Sequence, residues 1–501
     1  MLGALLVREW AGNRDRPDSA TLACAAGRGE LVVDNKGTAL DFTPAGVLAG
    51  GGNAVAGLEA ATATLRALYK PGSPKAEAAG LYIASAFDDA LRVAIERSAP
   101  VSPVHVAEDV SVRDATWWAR WLAGVRDASL AVCDAYWCVP SASRNAAGNG
   151  MVRLRLAASV VEALKWAACD RFNPDELLWH RLAALFMDDR EACAAALVPG
   201  DVPGVAREYV RAVAYHSANL DQFDLETAIV LIHVIDLCLP FVSLSRTPAR
   251  FPQYVVRPEL GQPPVRQSGV RDAAALYFTP WSADELLADF EAQLVAGKVP
   301  AALGRLPGGT VLAAIRYLRR QWSTRPPLRL RRRYPQDADL EVARGLDQCR
   351  SVLGGSRPTL VRAWKARDFS RDGLYVLASI DPSGAWPDIG ELLGVHFVDG
   401  EGWQLAIVQR LRMWPDQAGL GLELLARKPT LVTVDDGQCS VDAVLCDVPQ
   451  QGEAVRLVLP PGSLAAAEPV FMKLDGSVYK LRLLEAERVE SDYQLSAFQV
   501  L

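Results

Sequence analysis

The sequence predicts an α+β multidomain protein: a large, mainly α-helical N-terminal region, an antiparallel β-barrel, and a further all-β segment at the C-terminus. Three observations predict it. Through most of 53–322 the apolar residues recur at three and four, as helices that bury one face require. Beyond Pro326-Pro327 the recurrence switches to period two, the spacing of half-buried strands. The chain's 501 residues exceed what one hydrophobic core organises. The expected division is 1–325 helical, with an irregular linker at 245–275, then 326–430 barrel, then 431–501 as a β extension or second small β unit.

Taken in order, Glu30–Val33 and Thr38–Phe42 pair as a hairpin across the turn-rich Asp34-Asn35-Lys36-Gly37. Gly50-Gly51-Gly52-Asn53 then opens a helix. A glycine cluster before a helix can hold phosphate, but no Gly-Lys-Ser/Thr follows, so Asn53 reads as a simple N-cap. Helical segments are expected at 53–69, 75–97, 110–128, 151–170, 174–197, 204–218 and 224–239, with no sequence repeat of the kind that marks a solenoid. Residues 245–275, rich in Pro, Arg and Gln, read as a linker or irregular crossing. Ser282-Ala283-Asp284-Glu285 has the form of a capping box for a helix ending near Gly297, and another helix spans Thr310 to Trp322.

Period-two segments follow at 338–343, 359–366, 373–379, 392–398, 403–412 and 420–426, with Asp399-Gly400-Glu401-Gly402 as a hairpin turn. Six short strands suit a closed barrel, which leaves no exposed edge. Pro335 and Gly345, in the interval from Arg333 to Asp368, predict an inserted turn there. The tail adds strands at 440–445, 454–459, 470–474, 478–484 and 495–500.

Composition narrows the function. A formal net charge of -6 argues against general DNA or RNA binding, so any nucleotide site is a local patch. Nine irregularly spaced cysteines suit reduced thiols rather than a disulfide framework. The apolar start Met1–Val7 lacks a basic segment before it, and Ala228–Leu244 carries His233, Asp236 and Pro240, so no transmembrane segment is expected and a cytoplasmic location is. His105, His180, His216, His233 and His396 fall in no metal-ligand spacing, and no nucleophile motif occurs; no catalytic residue, metal or cofactor is expected, and the chain does not read as an enzyme. Trp117 and Trp121 share a helix face, which reads as core or a subunit contact.

Two stretches carry chemistry. Arg316, Arg319, Arg320, Arg325, Arg329, Arg331, Arg332 and Arg333 follow one another with no acid before Asp337. The planar arginine fork fits guanine O6/N7 or a phosphate in a bidentate way that lysine does not. Taken alone the run also suits a solvated face or a salt-bridge seam. The second stretch is Asp368-Phe369-Ser370-Arg371-Asp372-Gly373, at the bend between two strands. A carboxylate there accepts from guanine N1–H and N2–H, Ser370 ties the loop or meets a phosphate, and Gly373 permits a close approach. An ordinary Asx/Ser turn has the same composition.

An Arg-x-x-x-Arg pair, Arg329 and Arg333, before the first barrel strand, with Asp-x-Ser-x-x-Gly between the next two, resembles the PilZ domain, a small β-barrel with which many bacteria bind cyclic di-GMP. The later segments Trp403–Arg410 and Gly419–Leu425 resemble its later pair of strands around a Gly-Leu/Val-Glu segment, and the resemblance covers about a hundred residues. It implies a bacterial cyclic di-GMP effector with ligand-binding residues Arg329, Arg331, Arg332, Arg333, Asp368, Ser370 and Gly373. It also implies relay to the helical region, which would dock a protein partner. The alternative is a PilZ-like interaction scaffold that binds no nucleotide. An enzyme with its site in the helical half is the third reading, and a buried cluster of titratable groups there would favour it.

Overall fold

A computed structural model of the chain describes residues 32–33, 39–40, 44–49, 53–69, 74–101, 114–138, 150–173, 176–189, 193–194, 197, 204–248, 250, 254–267, 275–326, 333–356, 362–379, 387–414, 416–464 and 470–501. It falls into two compact units, Met1–Pro327 and Leu328–Leu501.

In the first unit β1 (Val32–Val33) pairs with β2 (Ala39–Leu40), the expected hairpin, with Val32 opposite Leu40. Helices α1 (Pro44–Ala49) and α2 (Ala54–Leu68) follow, and the Asn53 side chain caps α2 by accepting from the Val55 and Ala56 N–H groups at 3.0 and 3.4 Å. Gly50, Gly51 and Gly52 lie outside the described residues. Helices α3 (Pro74–Ser98), α4 (Ala115–Cys138), α5 (Gly150–Cys169), α6 (Glu176–Met187), α7 (Val205–Ser217) and α8 (Leu225–Cys238) share one apolar core with α2. Trp121 sits in that core at 0% exposure, donates its indole N–H to Ser98 Oγ at 2.8 Å, and meets Trp166 edge-on. Trp117 is only half-buried, against Trp118.

Periodicity predicts an end to α4 near 128, but the helix continues to Cys138. The reason is burial on nearly all sides: Ala131, Val132, Cys133, Ala135 and Tyr136 are all in the core, which erases a one-sided stripe. Helix α6 ends at Met187, before Asp188-Asp189; within the rest of the expected 174–197 segment Cys193 and Ala194 are again helical, and 190–192 and 195–196 lie outside the described residues.

The stretch 245–275, expected as a linker or irregular crossing, contains short strands among its described residues. Four short strands, β3 (Leu244–Ser245), β4 (Tyr254–Val256), β5 (Val265–Arg266) and β6 (Leu276–Phe278), form a sheet in the order β3-β6-β4-β5. Tyr254, Val255 and Val256 are buried, and the Tyr254 hydroxyl donates to the Ser217 carbonyl at 2.9 Å. Strands of two or three residues are too short for alternation to register in sequence. The capping box is a correction. A 3-10 turn, Pro280–Ala283, runs directly into α9 (Asp284–Val295), and Ser282 Oγ donates to the Phe241 and Thr279 carbonyls instead. Gly297, at φ 75, does close α9, with the Lys298 N–H reaching back to Gln293. Helix α10 (Gly308–Gln321) completes the unit. Among the described residues no helix is long and apolar enough to cross a membrane.

The second unit holds two closed barrels. The first consists of β7 (Tyr334–Arg344), β8 (Arg362–Phe369), β9 (Gly373–Ser379), β10 (Leu392–Phe397), β11 (Gln404–Met413) and β12 (Gln417–Ala426). Alternate residues such as Leu340, Val342, Trp364, Leu374, Val376, Leu420 and Leu422 fill its interior. Among the described residues the insertion between β7 and β8 contains a helix as well as a turn. Gly345 at φ 77 breaks the strand and starts α11 (Gly345–Leu353), whose Leu346, Cys349 and Val352 are buried. The tail is a second closed barrel: β13 (Thr430–Asp435), β14 (Ser440–Leu445), β15 (Ala454–Leu459), β16 (Val470–Leu474), β17 (Ser477–Val489) and β18 (Gln494–Val500). The sequence-based strands of the tail omit β13, although Leu431, Val432, Thr433 and Val434 alternate in burial. A shared apolar cluster joins the barrels, with Leu346, Leu405 and Ile407 against Val444, Val458 and Tyr493. The Tyr493 hydroxyl donates to the Gly390 carbonyl at 2.7 Å across this joint.

Candidate functional site

The turn between β8 and β9 is the Asp368–Gly373 stretch. Asp368 stands at its entrance, and Arg333 Nη1 donates to both carboxylate oxygens at 2.7 and 3.0 Å. Each side chain keeps over a quarter of its surface in solvent, 29% and 28%. Ser370 is buried, and both its N–H (2.8 Å) and its hydroxyl (3.2 Å) donate to the Gly373 carbonyl, so it ties the loop. Gly373 is a close-approach glycine, because a Cβ there would lie 2.6 Å from the Leu422 carbonyl oxygen. The turn is also held from outside: Leu424 N–H donates to the Asp372 carbonyl at 3.1 Å and Arg427 Nη2 to the Arg371 carbonyl at 2.9 Å. Arg329, Arg331 and Arg332 lie outside the described residues.

Strand pairing brings further residues beside Asp368. It lies opposite Tyr375, Tyr375 opposite Gly421, and Gly421 opposite Arg410; Gly419 lies opposite Arg412. Because Leu374, Val376, Leu411, Leu420 and Leu422 point inward, this set occupies the outer face. A Cβ at Gly419 would sit 2.4 Å from the Tyr375 hydroxyl and 2.9 Å from the Trp414 ring, so the glycine is what lets both aromatic side chains lie across β12. Burial pushes the Tyr375 hydroxyl pKa up, against the opposing pull of Arg412. The result is an outer strip with a glycine floor, an aromatic wall and arginines, next to a carboxylate. The sequence carried a partial signal, since Arg410-Leu411-Arg412 and Gly419-Leu420-Gly421 each place like residues on one face. Their adjacency is a product of pairing.

The upstream arginines divide. Arg316 and Arg319 bond Glu291 at 2.8 and 2.6 Å, and Arg319 also bonds Asp284 at 2.8 Å, so on α10 the run is an ion-pair seam with α9. A cleft of about 510 Å³ opens beside α11, lined by Arg350, Asp442 and Lys473 among others; none of the Asp368–Gly373 turn lines it.

The helical unit buries a second charged cluster. Asp88 pairs with Arg92 (3.0 Å), Glu208 with Arg211 (2.8 Å), and Arg211 with Asp236 (3.2 Å), while Lys165 bonds Glu162. Burial holds Asp88 and Glu208 above the ordinary carboxylate range. At Glu162 burial acts in the same sense, but Lys165, Arg92 and Arg211 outweigh it and bring the carboxyl below that range. Each carboxylate thus faces a cation on its own or a neighbouring helix. Among the described residues no three His, Cys, Asp or Glu side chains gather in a metal-holding group. Burial pushes the Cys133 and Cys349 thiols up to about 12, which makes them inert.

Compared with models of known protein families and with curated proteins, the chain matches none.

Proposed function

We propose that the chain is a cyclic di-GMP-binding effector whose first barrel is PilZ-like and holds the nucleotide. One observation carries this reading. An arginine from the segment preceding a closed six-stranded barrel meets the aspartate of an Asp-x-Ser-x-x-Gly turn on the barrel's outer face. A guanine edge offers paired N–H donors to Asp368, and taking that carboxylate releases the Arg333 fork for guanine O6/N7 or a phosphate. Arg410 and Arg412, one strand beyond the Gly419–Gly421 floor, add positive potential for a dianion. Ser370 and Gly373 keep the turn rigid, so the carboxylate is presented without an ordering cost. Arg329, Arg331 and Arg332 would complete the grip, and because they lie in the segment that joins the units in sequence, ligand binding biases that join. The helical region would then present or withdraw a surface for a protein partner.

Calorimetric titration with cyclic di-GMP, with GTP and cyclic di-AMP as controls, tests this. Selective binding at low micromolar concentration or tighter is expected, and Arg333→Ala or Asp368→Ala should each cost roughly 10- to 100-fold, as loss of a charge-assisted contact does. Equal affinity in the folded variants would overturn the site. Absence of heat with the unaltered chain would leave the second reading, a PilZ-like interaction scaffold. That reading is favoured by Asp368 already having its partner in Arg333. The charged cluster of the helical unit is read as a structural network, since its carboxylates are compensated by cations.

A further inference from the structure

Followed round each barrel from its first strand, the order is first, second, third, sixth, fifth, fourth in both, and the pairs are antiparallel. The register between the fifth and sixth strands also shifts twice in each barrel, with the extra residues on both strands in the first (Gln409 and Leu425) and on the fifth strand alone in the second (Leu484 and Glu487). The breaks fall at Leu405/Ala406 and Val408/Arg410 between β11 and β12, and at Leu483/Glu485 and Ala486/Arg488 between β17 and β18. The shared strand order, with an irregular pairing of fifth and sixth strands in each, lets the two barrels be compared strand by strand. The connection between second and third strands is then equivalent in the two. In the first barrel Asp368-Phe369-Ser370-Arg371-Asp372-Gly373 spans it, with β8 ending at Phe369 and β9 starting at Gly373; in the second the longer connection from Leu445 to Ala454 contains Asp447-Val448-Pro449-Gln450-Gln451-Gly452, with acid and glycine at the same sequence spacing.

The chemistry of the second turn differs wherever the first is specialised. Pro449 has neither the hydroxyl nor the N–H with which Ser370 closes its loop. Gly452 adopts φ 84 with open space where a Cβ would go, so it serves the turn's backbone and not a close approach. The Asp447 carboxylate is occupied by Arg456 through its backbone N–H (2.9 Å), Nε (3.0 Å) and Nη2 (2.8 Å). The same Nη2 donates to the Leu425 carbonyl of β12 at 3.0 Å, in the other barrel. Leu425 lies beside Leu424, whose N–H holds the Asp372 carbonyl, and two residues before Arg427, which holds the Arg371 carbonyl.

We infer that the second barrel is a ligand-silent copy of the first, in which the equivalent turn has become a clasp: Asp447 fixes Arg456, and Arg456 fixes the end of β12 on which the Asp368–Gly373 turn rests. Arg456 is thus a positioning residue for the first barrel, and the chain has one nucleotide site, not two. The single nucleotide site and the silence of the second barrel rest on the proposed function; the clasp does not.

The test compares the full-length chain with Arg456→Met, Arg456→Lys and Asp447→Asn by amide hydrogen exchange and by titration with cyclic di-GMP. In Arg456→Met the Ser370 and Leu424 amides, both in the first barrel, should exchange at least tenfold faster, while those of Val455 and Leu457 keep their protection and show the second barrel folded. Affinity should fall about three- to tenfold with the number of ligand equivalents per chain unchanged. Arg456→Lys should recover part of the protection, and Asp447→Asn should give a weaker form of the same pattern. Faster exchange confined to the second barrel would overturn the clasp. Loss of a ligand equivalent in Asp447→Asn would overturn the silence of the second barrel. If the unaltered chain gives no heat, the nucleotide reading fails and the exchange pattern still decides the clasp.

Discussion

Replacing Gly373 by alanine adds one methyl group to the turn at the start of β9. That methyl carbon would lie 2.6 Å from the Leu422 carbonyl oxygen, where ordinary contact begins at 3.4 Å. The obstruction is backbone, and it cannot swing aside. β12 is bonded to β9 on one side and β11 on the other, and the Leu422 side chain is in the barrel core. Overpacking of this kind costs about 1–3 kcal/mol. Alanine also restricts the unfolded chain, which returns about 0.4–1 kcal/mol, so a net loss on the order of 1–2 kcal/mol is expected. For a unit of this size that lowers Tm by about 2–8 °C, readable by differential scanning calorimetry. The displaced turn should also weaken cyclic di-GMP binding, because Asp368 and Ser370 move with it. Gly452→Ala is the internal control. It meets no atom but must adopt positive φ, at a cost of about 1 kcal/mol. It should lower Tm without altering affinity. A Gly373→Ala protein that melts within about 1 °C of the unaltered chain would refute the close-approach account.

Two further predictions concern the helical unit. Burial pushes the Asp170 carboxyl up to about 6 from its ordinary 3.8, with Arg126 opposing the rise and Asp127 adding to it. A folded-state pKa above the unfolded one means that the folded form binds the proton more tightly. Stability from this group therefore grows as pH falls from 6 towards 4, by about 1.4 kcal/mol at pH 5 relative to pH 8, and is lost again as pH rises. Asp170→Asn should lack that increment in urea unfolding at the two pH values, and an identical pH dependence in the variant would count against it. Ser217→Ala leaves the Trp322 indole N–H, now bonded to Ser217 Oγ at 2.9 Å, buried without a partner. A loss of about 1–3 kcal/mol in chemical denaturation is expected, and a loss below about 0.5 kcal/mol would show that the indole finds another acceptor.

Much of the fold is legible in sequence because burial is periodic. A helix that covers one side of a core, such as α7, and a strand that lines a barrel, such as β9, each impose their period on the residues they use. The elements that escape are those whose burial is not one-sided or not long enough. The second half of α4 is buried on most of its faces, α11 is nine residues long, and β4 is three. Of the candidate site, the Asp368–Gly373 turn is legible because its hydrogen bonds are local, Ser370 to Gly373.

The amino-acid sequence by itself determined the switch from helical to strand period, the hairpins and the acid–serine–glycine turn, each a property of residues within a few positions of one another. Tertiary structure alone decided that Arg333 meets Asp368, 35 residues away, and that Tyr375, Arg410, Arg412, Gly419 and Gly421 share one outer face. It alone made the tail a second barrel with the strand order of the first. The physical reason is that alternation specifies which face of a strand is buried and leaves open which strand lies beside it. Partner choice is settled by closure of the sheet, and many sequences satisfy the same inward-facing positions.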